Sequence, residues 1–262
     1  MNLSTKDQPL DSRELLNQNQ LERLVQFDSP TIANVVELFE LRSRVADFSN
    51  YTLKAIYPEL PPTVGYAVTA TFRSGYPAER DDSYFGMGKL IEDSHLMPSP
   101  KIMVIQDMDA PPRAATYGEV MATAFQTFGF VGLITSGAGR DIEQVRQLRF
   151  PCWASSMIVS HGYNRFLDFH LPVVVGGLQV KPGNLIHADG NGIVTIPNHI
   201  APIVVELCEP FIQAEQQVMD YLKFPGATPG GYADAIRKMR AEVKELREQA
   251  QAKLKGLPSV SG

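Results

Sequence analysis

Between Gly118 and Arg146 the chain reads GEVMATAFQTFGFVGLITSGAGRDIEQVR, and this stretch decides the fold class. From Gly118 onward Val120, Met121, Ala124, Phe125 and Phe128 recur on one helical face until Gly129, a residue that ends helices because it accepts positive φ. VGLIT, residues 131–135, has no polar interruption and reads as a buried strand. The turn SGAGRD follows, then Ile142, Val145 and Leu148 mark a second short helix, and PCWASSMIV opens another strand. Helix and strand alternating in this way is the text of an α/β domain.

Working outward, GYAVTATF (65–72) and KIMVIQDMD (101–109) read as strands, the second ending in acids. The stretch RSGYPAERDDSYFGMG between them is rich in Gly, Pro and charge, and predicts a loop leading into a short helix near 86–95. Toward the N-terminus, Leu15, Leu16, Leu21, Leu24 and Val25 predict one helix, and Ser29 and Pro30 predict the N-cap and first turn of another. Residues 172–197 are strand text broken by Gly-Gly, Pro-Gly and Gly-Asn-Gly, which predicts a compact unit of several short strands. A long helix is expected over about 199–224, bent or restarted at Pro210. Beyond it Ile236, Met239, Val243 and Leu246 form an apolar stripe on a charged helix, which needs a surface to pack on. The expected organisation is an N-terminal helical extension (1–27), one α/β domain (28–230) and a C-terminal amphipathic helix (231–262).

The chain has 262 residues, a net charge of −5 and an isoelectric point near 5.6, so it lacks the basic surplus that draws a nucleic-acid backbone. Cys152 and Cys208 lie in apolar text and read as small buried hydrophobes, not a disulfide or zinc pair. With no segment approaching the roughly 18 apolar residues of a membrane span, and no apolar core of signal-peptide length near the start, a cytoplasmic protein without a membrane partner is expected. The five histidines are too scattered to suggest a ligand cluster, and no P-loop, HExxH or nucleophile elbow is present.

Chemistry is concentrated in the 118–146 stretch. A helix opening at Gly118 leaves the N–H groups of Glu119, Val120 and Met121 without intrahelical partners, and with the helix dipole they form a seat for a carboxylate. Gly137, Ala138 and Gly139 leave room for a ligand against the backbone. Arg140 offers a cation to a developing oxyanion, and Asp141 beside it a hard oxygen ligand for Mg²⁺ or Mn²⁺. Read alone, the same Arg-Asp pair fits a helix cap carrying a surface charge.

The order G-E-x-M followed by G-A-x-R-D resembles the signature of the family that holds the divalent-metal 4-hydroxy-4-methyl-2-oxoglutarate aldolases and the regulators of ribonuclease E activity, the RraA-like proteins. GYAVTA, VVVGGLQVKPGNLIHADGNGIVTIP and FIQAEQQV resemble further parts of that family in order, so the similarity covers roughly residues 28–230. The resemblance implies a β/β/α swivelling-type domain, assembled as trimers or hexamers with sites at subunit interfaces. It implies a small-molecule 2-oxo acid substrate, with the carboxylate on the amides of Gly118 to Met121 and Arg140 on the enolate oxygen. Asp141 and Glu119, with Glu215 from a neighbouring subunit, would hold Mg²⁺ or Mn²⁺ and its waters. The expected activity is metal-dependent retro-aldol cleavage, oxaloacetate decarboxylation, or both.

Several positions depart from the family pattern. Ser136 stands where Asp is usual, Gly139 where a bulkier residue is usual, and Asn184 and Asn191 where acids are common, while Arg165 is the nearest candidate for a further basic residue. These departures bear on the identity of the substrate. Two other classes stay open: a non-catalytic regulator that binds a ribonuclease or another protein, and an enzyme acting on a different keto acid or sugar acid. Retention of Glu119, Arg140 and Asp141 favours the lyase.

Overall fold

The computed structural model describes residues 15–77 and 85–257. Its main sheet follows the order β1 (Lys54–Ala55), β7 (Cys152–Ala154), β5 (Phe130–Thr135), β3 (Lys101–Asp107), β2 (Thr63–Arg73), β12 (Leu185–Asp189) and β13 (Gly192–Ile196). β2, β3, β5 and β7 run parallel, and β9 (Arg165–Phe169) adds antiparallel to β2. A second, three-stranded sheet is parallel throughout: β4 (Ala115–Tyr117), β6 (Ala138–Gly139) and β8 (Ser156–Met157). The fold is mixed α/β, as the alternation of the 118–157 text predicts.

Strands covered on both faces must be apolar on both faces, and β2 shows this in its unbroken buried run from Thr63 to Ala70. One face carries Val68, Ala70, Met103, Ile105 and Leu133 under α4 (Glu119–Thr127) and α3 (Phe85–Asp93). The other carries Ala67, Ile102, Val104, Ile134 and Trp153 under the hairpin β10 (Val173–Val175) and β11 (Leu178–Val180). Gly176 and Gly177, at φ 53° and 75°, make that tight hairpin turn without a Cβ penalty. The expected compact β-unit at 172–197 therefore divides: β10 and β11 form their own sheet, whereas β12 and β13 extend the main one. Residues 78–84, within the expected loop, lie outside the described residues; α3 and a 3₁₀ turn at Ser94–Leu96 match the expected short helix.

A third core cluster joins the edge of the sheet to helices. α1 (Gln18–Leu24), α2 (Ser29–Glu37), α6 (Ala201–Lys223) and α7 (Pro229–Lys255) bury Leu24, Ile32, Val35, Val204, Phe211 and Leu246 together against Val64, Leu185 and Val194. Two details correct the sequence reading. Asp28, not Ser29, is the N-cap of α2, its Oδ1 accepting from Thr31 N at 2.8 Å. Ser29 is drawn away because its own N–H donates to Asp189 Oδ2 (2.8 Å) and its hydroxyl meets His187 Nδ1 (2.8 Å). In α4 the buried positions are Met121, Ala122 and Phe125, while Val120 and Phe128 are exposed. α6 runs through Pro210 without restarting, and α7 lies along it.

Candidate active site

Two very short strands bring the charged turn to the start of α4. Tyr117 pairs with Gly139 across β4 and β6, so the residues that follow, Gly118 and Arg140, leave the small sheet side by side. Arg140 N donates to Tyr117 O at 3.1 Å and fixes that juxtaposition. Asp141 then adopts the left-handed conformation (φ 58°, ψ 47°), which Asp accepts more readily than most residues. It stands at the N-cap of α5 (Ile142–Gln147) but gives that helix no side-chain cap. Its Oδ2 instead accepts from the N–H of Glu119 at 2.9 Å, capping α4 across space. Arg140 Nε lies 3.6 Å from the same oxygen. A Cβ at position 118 would displace the Asp141 carboxylate, since one built there would lie 2.4 Å from Asp141 Oδ2 and 3.0 Å from Arg140 Nε.

This arrangement changes the anion seat read from the sequence. The Glu119 amide is already taken, and the N–H groups of Val120 and Met121 are the two at the start of α4 without an acceptor among the described residues. They open, with Arg140, onto a notch also lined by Tyr117, Gly118 and Asn164. Its volume is about 10 Å³, room for no more than about one water. Asn164, turned so that its amide nitrogen faces the Ala115 carbonyl at 3.2 Å, is a wall that no sequence motif announced.

The turn is braced from behind. Asp107, at the end of β3, donates its N–H to Ser136 Oγ (2.9 Å), and its carboxylate accepts from Thr116 Oγ1 (3.1 Å) and Asp109 N (2.9 Å). Burial pushes the Asp107 carboxyl above the usual range. Gly137 threads between these groups, since a Cβ there would fall 2.0 Å from Thr116 Oγ1. Ser136, the departure noted at the head of the turn, thus serves as an acceptor for the backbone. Gly139 has a similar physical reason: the buried Tyr117 ring fills the space beside it, and a Cβ would lie 2.5 to 2.7 Å from the ring and its hydroxyl. The Tyr117 hydroxyl is buried without a hydrogen-bond partner among the described residues, and burial, with Cys152 and Tyr57 nearby, holds its ionisation well above the ordinary value.

The remaining sequence candidates fall elsewhere. Glu215, on α6, is half-buried in a groove bounded by α2 and α7, where burial raises its carboxyl. Within one chain it is not among the residues around the notch. Arg165 donates to Tyr76 O at 2.6 Å, on the β9 side of β2. Cys152 and Cys208 are free and buried, and burial lifts the Cys208 thiol to about 12. Among the described residues no three His, Cys, Asp or Glu side chains of one chain gather as a metal cluster. Asp141 and the exposed Glu119 flank the notch without lining it, and their carboxylates are hard oxygens of the kind that Mg²⁺ or Mn²⁺ takes beside its own waters.

Residues 32–195, more than half of the chain, match the family model described as RraA-like, Aldolase/RraA. The chain belongs to the RraA-like family. A Halalkalibacterium halodurans protein provisionally named 4-hydroxy-4-methyl-2-oxoglutarate aldolase is 27% identical over 100 residues, 38% of this chain and 48% of that one. Protein DlpA of Legionella pneumophila is 27% identical over 104 residues, 39% of this chain and 17% of its own length. This RraA-like chain therefore spans about half of the first relative and far less of the second. Among solved structures, RraAS2 of Streptomyces coelicolor, described as an unusual member of the RNase ES inhibitor RraA protein family, aligns with a TM-score of 0.61 at 23% identity. That alignment covers 77% of this chain and 96% of RraAS2, and it speaks to the shared fold. No helix among the described residues is long and apolar enough to cross a membrane.

Proposed function

We propose that this RraA-like chain is a divalent-metal-dependent lyase that forms a pyruvate enolate. The reactions are retro-aldol cleavage of a 4-hydroxy-2-oxo acid such as 4-hydroxy-4-methyl-2-oxoglutarate, decarboxylation of oxaloacetate, or both. The observation that carries this reading is the seating of Arg140 and Asp141 against the start of α4, with two helix N–H groups left without acceptors among the described residues beside the Arg140 guanidinium.

The Val120 and Met121 amides and the α4 dipole hold the substrate carboxylate. Arg140, 3.6 Å from Asp141, donates to the 2-keto oxygen, where negative charge gathers as the C3–C4 bond breaks. In the aldol cleavage the C4 hydroxyl gives its proton to water, and in both reactions the enolate takes a proton from water to leave pyruvate. A bound Mg²⁺ or Mn²⁺ would supply Lewis-acid stabilisation of the developing enolate charge. Asp141 and Glu119 would hold it, joined by Glu215 of a neighbouring subunit. A notch of about 10 Å³ cannot enclose a pyruvyl unit, which supports a site completed by a second copy in a trimer or hexamer.

The test is pyruvate release from oxaloacetate and from 4-hydroxy-4-methyl-2-oxoglutarate after EDTA treatment, with and without restored Mg²⁺. Release with Mg²⁺ alone is expected. Full activity in EDTA, or a borohydride-trapped adduct, overturns the metal-enolate reading. Absence of turnover on both substrates favours the alternatives, a protein-binding regulator or an enzyme for a different keto acid or sugar acid.

A further inference from the structure

A second cavity, which includes Glu215, carries a set of cations that the lyase reading leaves unused. Where α7 lies across α2 and α6, a groove of about 430 Å³ opens, inside the roughly 300–1,000 Å³ range of small-molecule sites. Phe211 and Leu38 are buried at its base, and Met239 and Val243 add apolar surface from α7. Its rim is cationic: Arg44, Arg240, Lys244 and Arg247 face two carboxylates, Glu37 and Glu215. In a chain whose net charge is −5, such a local excess of positive charge needs a reason.

Three of those cations come from one helix at spacings of four and three, so they share a face of α7 and converge on the groove. Partners within the chain satisfy them poorly. Arg44 Nε is 3.5 Å from Glu37, Arg247 Nη1 is 3.6 Å from Glu40, and Lys244 Nζ is 3.7 Å from Glu248. All are longer than the roughly 2.7–2.9 Å of a charge-assisted hydrogen bond. Arg240 has no carboxylate partner among the described residues. Arg247 Nε is buried and donates to no acceptor among them. A buried guanidinium N–H is normally paired, because leaving it unmade forfeits its hydration without return. Here it sits on a residue lining an open cavity of matching sign.

We propose that the α2–α6–α7 groove binds a compact organic polyanion, with two or more carboxylate or phosphate groups on a short apolar frame. The anionic groups meet Arg240, Lys244 and Arg247, and the frame lies over Phe211, Met239 and Val243. Within one chain the groove and the notch at Gly118 and Arg140 share no lining residue, and the anion contacts assigned to Arg240, Lys244 and Arg247 are argued without Glu215, the one groove residue that the lyase reading draws on in a neighbouring subunit.

Isothermal titration and thermal-shift measurements test it, in metal-free buffer at constant ionic strength, with citrate as the carboxylate probe and inorganic pyrophosphate as the phosphate probe. The full chain is compared with Arg240→Ala, Arg247→Gln and, as a control on the other site, Arg140→Ala. Arg240 is exposed, so its variant is expected to fold even if the Arg247 variant does not. The expected result is saturable binding of at least one probe to the full chain and to Arg140→Ala, weakened on the order of tenfold or more in Arg240→Ala. Which probe binds tells carboxylate from phosphate recognition. Non-saturating behaviour with both probes overturns the proposal, as does binding that Arg240→Ala leaves unweakened, whether or not Arg140→Ala retains it.

Discussion

Two glycines set how closely the charged turn approaches α4, and they do so by different means. At Gly118 a Cβ would meet the far end of the Asp141 side chain, which can swing aside, whereas at Gly139 it would meet a buried aromatic ring, which cannot. Gly118→Ala is therefore expected to displace the Asp141 carboxylate from the Glu119 amide, removing activity at a stability cost of about 1 kcal/mol. Gly139→Ala is expected to cost about 1–3 kcal/mol by overpacking against Tyr117. Urea midpoints and turnover on the same preparations check both, and a larger stability loss in Gly118→Ala than in Gly139→Ala would contradict the distinction. Under the proposed function, Arg140→Ala lowers kcat by about 10²–10³-fold, the scale of one lost oxyanion donor. Asp141→Asn acts mainly on metal affinity, so added Mg²⁺ recovers part of its activity and none of that of Arg140→Ala. Metal-titrated kcat separates these outcomes. Arg140 and Asp141 stood out in the sequence through the family resemblance of the G-E-x-M and G-A-x-R-D order, because an Arg-Asp pair opening a helix reads alone as a cap. The partnership of Tyr117 with Gly139 did not, because it depends on cross-strand register between β4 and β6 that no local pattern encodes.

The same division holds for whole elements. β2, β3, β5 and α4 were legible because long apolar runs and helical spacing persist over several residues. β4, β6 and β8 are two or three residues long and too short for any periodicity, and β9 was hidden in RFLDF, where only part of the strand is covered. Those short pieces carry the candidate site, so its position was harder to read than its residues. The clasp between α2 and β12 is likewise a tertiary matter. In the tautomer that satisfies both contacts, His187 donates through Nε2 to Leu24 O (3.2 Å) and accepts the Ser29 hydroxyl at Nδ1 (2.8 Å). Burial holds the His187 ring below its ordinary value, with Leu24 O and Asp189 opposing. The folded state thus favours the neutral ring, while the unfolded chain takes its proton at about pH 6.5. His187's contribution to stability is present above that pH and is lost as the pH falls below it toward the folded-state value. Falling urea midpoints between pH 7.5 and 5.5, with a His187 ring titration below 6.5 by NMR, are expected; a titration at or above 6.5 would contradict the clasp.

At the scale of the molecule, the notch at Gly118 and Arg140 is too shallow to hold a substrate alone, and Glu215 sits apart from it on α6. The proposed function therefore requires assembly: sedimentation is expected to find activity only in an oligomer, and a fully active monomer would contradict a site completed by a neighbour. Enolate formation itself can be watched without a leaving group. An enzyme that stabilises the pyruvate enolate exchanges the methyl protons of pyruvate with solvent, because the enolate is reprotonated from water. In D₂O with Mg²⁺, the account predicts loss of the pyruvate methyl proton signal by NMR, well above the buffer rate, abolished by EDTA and nearly abolished by Arg140→Ala. Methyl exchange no faster than in buffer, or exchange unchanged by Arg140→Ala, would contradict it.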